Sequence, residues 1–328
     1  MDSIHHKNIR FNIIVASVVW FVWIVLLGPA DAISYVTSNW EISVTMIFGS
    51  LIAGATSEGG GAVAFPVFTK ILEIHPHDAK VFALAIQSVG MTAASLFIVA
   101  ARVTVDWRVI LWAGLGGIPG IIIGSGILAP ISHPSLIKLT FTMLVSSFAI
   151  SLLFINRRNK SRHPRIPKYG FNERSVLFVT GIIGGILSGL VGNGIDIITF
   201  SVMVLLFRIS EKVATPTSVI LMATNSIVGF ALHLFVYDDF SEVVKGYWLA
   251  AIPIVVIGAP IGAMFCARFS RETIVHILLS LIAIEFVSSL IIIPLNYSLI
   301  LYSSFLLMVF SLMYYWMCRI RTYEVPIY

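Results

Sequence analysis

The sequence predicts an all-α polytopic membrane protein made of two inverted-topology repeats. Each repeat is a re-entrant or broken-helix hairpin plus three transmembrane helices, with one extra helix at each end of the chain. Three observations predict it. The 328 residues are 58% hydrophobic and only 11% charged, against about 25% charged in a soluble domain. The apolar runs lack strict alternation and many are near 20 residues, the length of a helix crossing lipid. Two glycine-rich breaks with an acid beside them recur in the two halves, AGATSEGGGAVAFPV at 53–67 and GLVGNGIDIITFSV at 189–202.

The first apolar run, Phe11 to Leu27, follows Lys7 and Arg10. With Ala30-Asp31-Ala32 after it, this outlines a signal peptide, but 17 residues exceed a usual signal core and favour a retained helix. Segments 42–55 and 61–72 come next, then 79–101, 107–130 and 135–155. The 156–174 stretch holds seven Lys or Arg against one Glu and marks the cytoplasmic side. After it come 175–192, 194–208, 213–236, 246–266, 273–293 and 297–318, with Arg319 and Arg321 at the end. Both termini are expected in the cytoplasm by the same rule.

Counting back from the basic linker, residues 42–72 must begin and end outside, and 175–208 must begin and end inside. The arms 42–55 and 61–72 have 14 and 12 residues, about 21 and 18 Å as helix. Neither crosses a ~30 Å hydrocarbon core, so each pair reads as a hairpin with its tip within the membrane, the second pair, at 18 and 15 residues, less clearly so than the first. The divisions expected are 1–41 (tail and first helix), 42–155 (repeat 1), 156–174 (linker), 175–293 (repeat 2) and 294–328 (last helix and tail).

A shift of 135 carries Gly54, Gly59, Phe65, Val67 and Ala79 onto Gly189, Gly194, Phe200, Val202 and Ala214. A shift of 138 then carries Gly120, Gly124 and Ser132 onto Gly258, Gly262 and Ser270. Three crossings per repeat invert the second copy, an architecture of many secondary transporters.

At each tip a helix starts inside the membrane and points N–H groups and a positive dipole end at the break. Gly59, Gly60, Gly61, Gly192, Asn193 and Gly194 are therefore candidates for binding an anion, as opposed to merely permitting a tight turn. Gln87 and Asn225 lie midway along their segments, with Ser88, Thr92, Thr224 and Ser226, as cavity walls or as interhelical hydrogen bonders. Glu58 and Asp196 read equally as proton-coupling sites and as caps of the second arms. Glu285 is an intramembrane acid with no partner legible in the sequence. Gly116, Gly120 and Gly124 are spaced for helix packing. His75 and His77 form an incomplete metal set and read as loop residues. Cys266 and Cys318 suggest neither a disulfide nor zinc. No nucleophile–base pair, phosphate loop or cofactor motif is expected, and the linker's charge reads as topological and not as nucleic-acid binding.

These residues resemble the TauE/SafE sulfite-exporter family over roughly 42–293. The resemblance rests on SEGGGAVAFP (57–66), GLVGNGIDIITF (189–200) and the Gly-x-x-x-Gly elements before Ser132 and Ser270. IQSVGMTAAS (86–95) and EKVATPTSVILMATNS (211–226) look like one subgroup. Ser57, Ile195, Asp196 and Ser201 depart from the family's glycine and proline pattern. The resemblance implies export of sulfite, sulfonates and related small organic anions. The resulting expectation is a secondary exporter of small anions, proton-coupled through Glu58 or Asp196, in contact with lipid, without cofactor or enzymatic activity. An anion channel and a structural or assembly protein are the alternatives, and self-association is left open.

Overall fold

The computed structural model describes residues 2–57, 67–156, 162–294 and 296–320. These are mostly helical, and among them the only β-type pairing is an isolated parallel bridge, His163 to Ile209. The elements are α1 (Asp2–Leu27), α2 (Pro29–Ser38), α3 (Trp40–Ala55), a wide turn (Val67–Ile71) and α4 (Pro76–Ala100). Then come α5 (Trp107–Ile131), α6 (Pro134–Asn156), α7 (Phe171–Val191) and α8 (Ile195–Leu206). The chain ends with α9 (Glu211–Phe235), α10 (Glu242–Arg268), α11 (Arg271–Ile292) and α12 (Tyr297–Arg319).

Nine helices among the described residues are long and apolar enough to cross a membrane. Two apolar helices, α3 and α8, are shorter. This is a multi-span α-helical membrane protein. The apolar stretch of α1 is exposed or half-buried, with Ala16 its one buried residue among those described, and only 6% of the apolar window of α12 is buried. Exposed apolar surface on this scale is suited to lipid. Trp20 and Trp23 nevertheless tie α1 to α10, donating to the carbonyls of Pro253 (2.9 Å) and Leu249 (3.1 Å). The short helix α2, begun by Pro29 after Gly28, was not anticipated by the apolar pattern.

Side-chain caps start several helices at their expected ends. Asp106 accepts from Arg108 N, Ser241 from Val244 N, Ser270 from Thr273 N and Asn296 from Leu299 N.

The expected hairpin pairs are unequal in the second half. The first arm, α7, has 21 residues, about 31 Å, long enough to span. The return arm α8 is short, and its end comes back to the linker. His163 N donates to Arg208 O (2.9 Å) and Ser210 N to His163 O (3.0 Å). The hairpin thus begins and ends on the linker's face. Asp106, between α4 and α5, is on that face too, accepting from Ile166 N at 3.2 Å.

Glycines bring two helix pairs into close contact. On α5 and α7, a Cβ at Gly120 or Gly124 would run into the carbonyls of Ile182 or Ile186, and one at Gly189 into Gly124 and Ser125. On α10 and α3, a Cβ at Gly258 or Gly262 would run into Ser50 or the Leu51 carbonyl, and one at Gly54 into Ala259 and Ala263. The shifts of 135 and 138 interconvert these contacts: Gly54 maps to Gly189, Ser50 to Gly185, Gly124 to Gly262. Each first arm packs on the opposite half's middle helix, a pattern compatible with inverted repeats.

Candidate functional site: a helix break against Gln87

The break between α7 and α8 lies inside the bundle. Gly192 ends α7 in the left-handed conformation (φ 91°), where its N–H bonds Ser188 O at 2.8 Å. Gly194 has φ 149°. A Cβ on Gly192 would come within 2.9 Å of Ala83 Cβ and 3.0 Å of Lys80 O. The tip is therefore buried and pressed on the first half of α4.

Gln87 completes this contact. Its Nε2 donates to Gly192 O at 3.1 Å, while its buried Oε1 has no hydrogen-bond partner. Asn193 is buried beside it. Gln87 and Asn193, with Ser50 of α3, are the polar groups on the wall of a mainly apolar cavity. Met46, Phe68, Phe82 and Val255 supply much of the rest. A largely apolar pocket with a few placed polar groups is the usual form of a small-molecule site.

Asp196 accepts from Gly194 N (3.1 Å) and Ile197 N (3.0 Å) through Oδ1. Its Oδ2 is buried without a partner. Ser188 Oγ accepts from Ile195 N at 3.0 Å. The N–H groups expected to stand open at the start of α8 are thus largely engaged by the protein's own side chains. Ser188 was not among the expected residues, although it sits just ahead of GLVGNG.

Asn225 is 3% exposed, and neither its Oδ1 nor its Nδ2 has a partner. A Cβ on Gly117 would lie 2.7 Å from Asn225 Oδ1 and 2.5 Å from Ile195 Cδ1. Asn225 and the first residue of α8 therefore converge on Gly117.

The structure thus gathers Gln87, Gly192, Asn193, Gly194 and Asp196 at one tip, with Asn225 nearby. Glu58, Gly59, Gly60 and Gly61 lie outside the described residues. Ser88, Thr92, Thr224 and Ser226 neither bridge helices nor stand free, since each donates to a carbonyl of its own helix. Glu285 has partners that the sequence hid. Thr142 and Ser289 donate to its Oε1, both at 3.2 Å. His77 pairs with Asp239 (3.1 Å), which also holds His233 (2.7 Å).

Residues 42–288 match the family model described as Sulfite exporter TauE/SafE. No curated protein and no solved structure matches the chain.

Proposed function

Because the chain belongs to the TauE/SafE sulfite exporter family, a family of membrane transporters, we propose that it is a secondary exporter of small anions. Sulfite, sulfonates and related organosulfur anions are its substrate class. The observation that carries this reading is the helix break at Gly192–Gly194, held against Gln87 beside a cavity and surrounded by unspent polar atoms. Buried polar groups without partners are costly, and broken helices within a bilayer occur where they line a cavity or a path.

In this reading the substrate's oxygens take donors from amides and not from the start of α8, whose N–H groups are occupied. Asn225 Nδ2 and the Asn193 side chain are the candidate donors, with Gln87 orienting the tip. Gly59, Gly60 and Gly61 are assigned the same role from the sequence repeat alone, in which Gly59 maps onto Gly194. Asp196 would repel an anion when ionised. Protonated, it would offer its unpartnered oxygen as an O–H donor. Anion and proton then bind together, which couples transport to protons through Asp196; Glu58, beside the first repeat's glycines in sequence but not aligned with Asp196, is the other candidate. The two repeats rock against each other about the tips, with the linker and both termini in the cytoplasm.

The test is flux of sulfite and of a simple alkanesulfonate in proteoliposomes, with Gly194→Leu and Asn225→Leu beside the parent. The parent should transport, and both variants should lose most of the flux while keeping their helical content. Absence of flux of any such anion in the parent would overturn the substrate class. Full flux in well-folded variants would overturn the site. Flux independent of a pH gradient would point to a channel.

A further inference from the structure

On the linker's face, far from the hairpin tip, four charged side chains come together from separate parts of the chain. Glu211 opens α9 and is fully buried. Its Oε2 accepts from Arg271 Nε at 2.7 Å, and its Oε1 lies 3.5 Å from Arg162 Nη2. Arg162 also donates through Nη1 to Val204 O at 2.7 Å, in the last turn of α8. Arg208, just beyond α8, donates through Nη2 to Cys318 O at the end of α12.

The charges in this cluster are unevenly matched. Glu211 is shared between Arg162 and Arg271. Among the described residues no carboxylate pairs with Arg208, which is 8% exposed. Its Nε is buried without a hydrogen-bond partner, and so is Arg162 Nη2, which meets Glu211 as an ion pair and not as a hydrogen bond. Burial first, and then the nearby Arg271 and Arg208, hold the Arg162 guanidinium below its ordinary pKa, against the pull of Glu211. A carbonyl oxygen does not neutralise a guanidinium. A buried cation without a counter-charge is costly.

We infer that Arg162 and Arg208 form an oxyanion site on the linker's face, distinct from the hairpin tip and built to hold a sulfate- or phosphate-type group. The planar guanidinium fork matches the oxygens of such a group and offers paired donors to it. The two orphaned donors belong to segments brought together at this face: the linker and the turn after α8. A bound oxyanion would tie the linker and α12 to the inner end of the second hairpin. The same chemistry is presented by a free inorganic anion and by the headgroup of an anionic lipid at the membrane surface.

The sources are separated by two arms using the full-length protein in nanodiscs. In the first, phosphatidylcholine discs are titrated with sodium sulfate against sodium chloride at equal ionic strength. In the second, phosphatidic acid replaces part of the phosphatidylcholine and no sulfate is added. Thermal unfolding should shift upward by about 3 °C or more in at least one arm. Sulfate alone would identify a soluble anion, and phosphatidic acid alone a lipid headgroup. Arg208→Gln should weaken the responding ligand about tenfold. Arg208→Lys, which keeps the charge and loses the fork, should weaken it about threefold. Glu211→Gln should tighten it, because the carboxylate competes with the anion for Arg162, a gain that a purely structural role would not produce. No shift in either arm overturns the site. So does an affinity unchanged in both Arg208→Lys and Glu211→Gln, which keeps the test decisive if Arg208→Gln does not fold.

Discussion

Asp196 spends one oxygen on two backbone N–H groups and buries the other with no partner. A cap needs only the first oxygen, so the second is where protonation and substrate would meet. Asp196→Asn keeps the acceptor and replaces the other oxygen with a permanent N–H donor. It should therefore bind an alkanesulfonate with little pH dependence, whereas the parent should lose affinity as rising pH ionises Asp196. Titration of binding at several pH values checks this, and identical profiles would remove Asp196 as the proton site. At this scale the sequence located the acid and the glycines but not their chemistry. Glu285 makes the same point. Its hydrogen-bond donor Thr142 is 143 positions away, beyond the reach of any local pattern.

Among the elements, Asp106 joins three. Its Oδ1 caps α5, its Oδ2 holds the linker at Ile166, and its own N–H donates to Thr217 of α9. It is 2% exposed. Asp106→Ala removes a cap and a charge-assisted buried hydrogen bond, a loss of about 3 kcal/mol. Asp106→Asn should cost about half of that, since one acceptor remains. Denaturant unfolding of the two variants beside the parent measures both. The helices themselves were largely legible, because in lipid their length and apolarity follow from the thickness of the hydrocarbon core. The second hairpin was less so. The apolar pattern gave 175–192 only 18 residues and left its span less clear-cut, whereas α7 begins at Phe171 and reaches spanning length. Its first turn carries Glu173 and Arg174, which a hydropathy boundary excludes although the backbone is already helical.

Across the whole molecule, the two halves are interlocked. The α3 arm packs on α10 and the α7 arm on α5, each through glycines that let backbones touch. Neither half can complete these contacts alone. Chains split between Asn156 and Arg162 and expressed together should copurify at equal stoichiometry through a tag on one half. Replacing Gly124 and Gly262 by leucine should abolish this, since both side chains would enter the partner helix's carbonyls. The sequence by itself determined a multi-span helical protein, the basic linker, the paired glycine breaks and the family likeness. All of these depend on local composition read against lipid and on motifs a few residues long. Only the tertiary structure decided that Gln87 receives the tip of α7 across 105 positions and that Ser188 and Asp196 occupy the start of α8. It alone gathered Arg162, Arg208, Glu211 and Arg271 on one face. Helix packing sets these partners, and a hydrogen bond or ion pair requires atoms within a few ångströms, a condition that no spacing along the chain encodes.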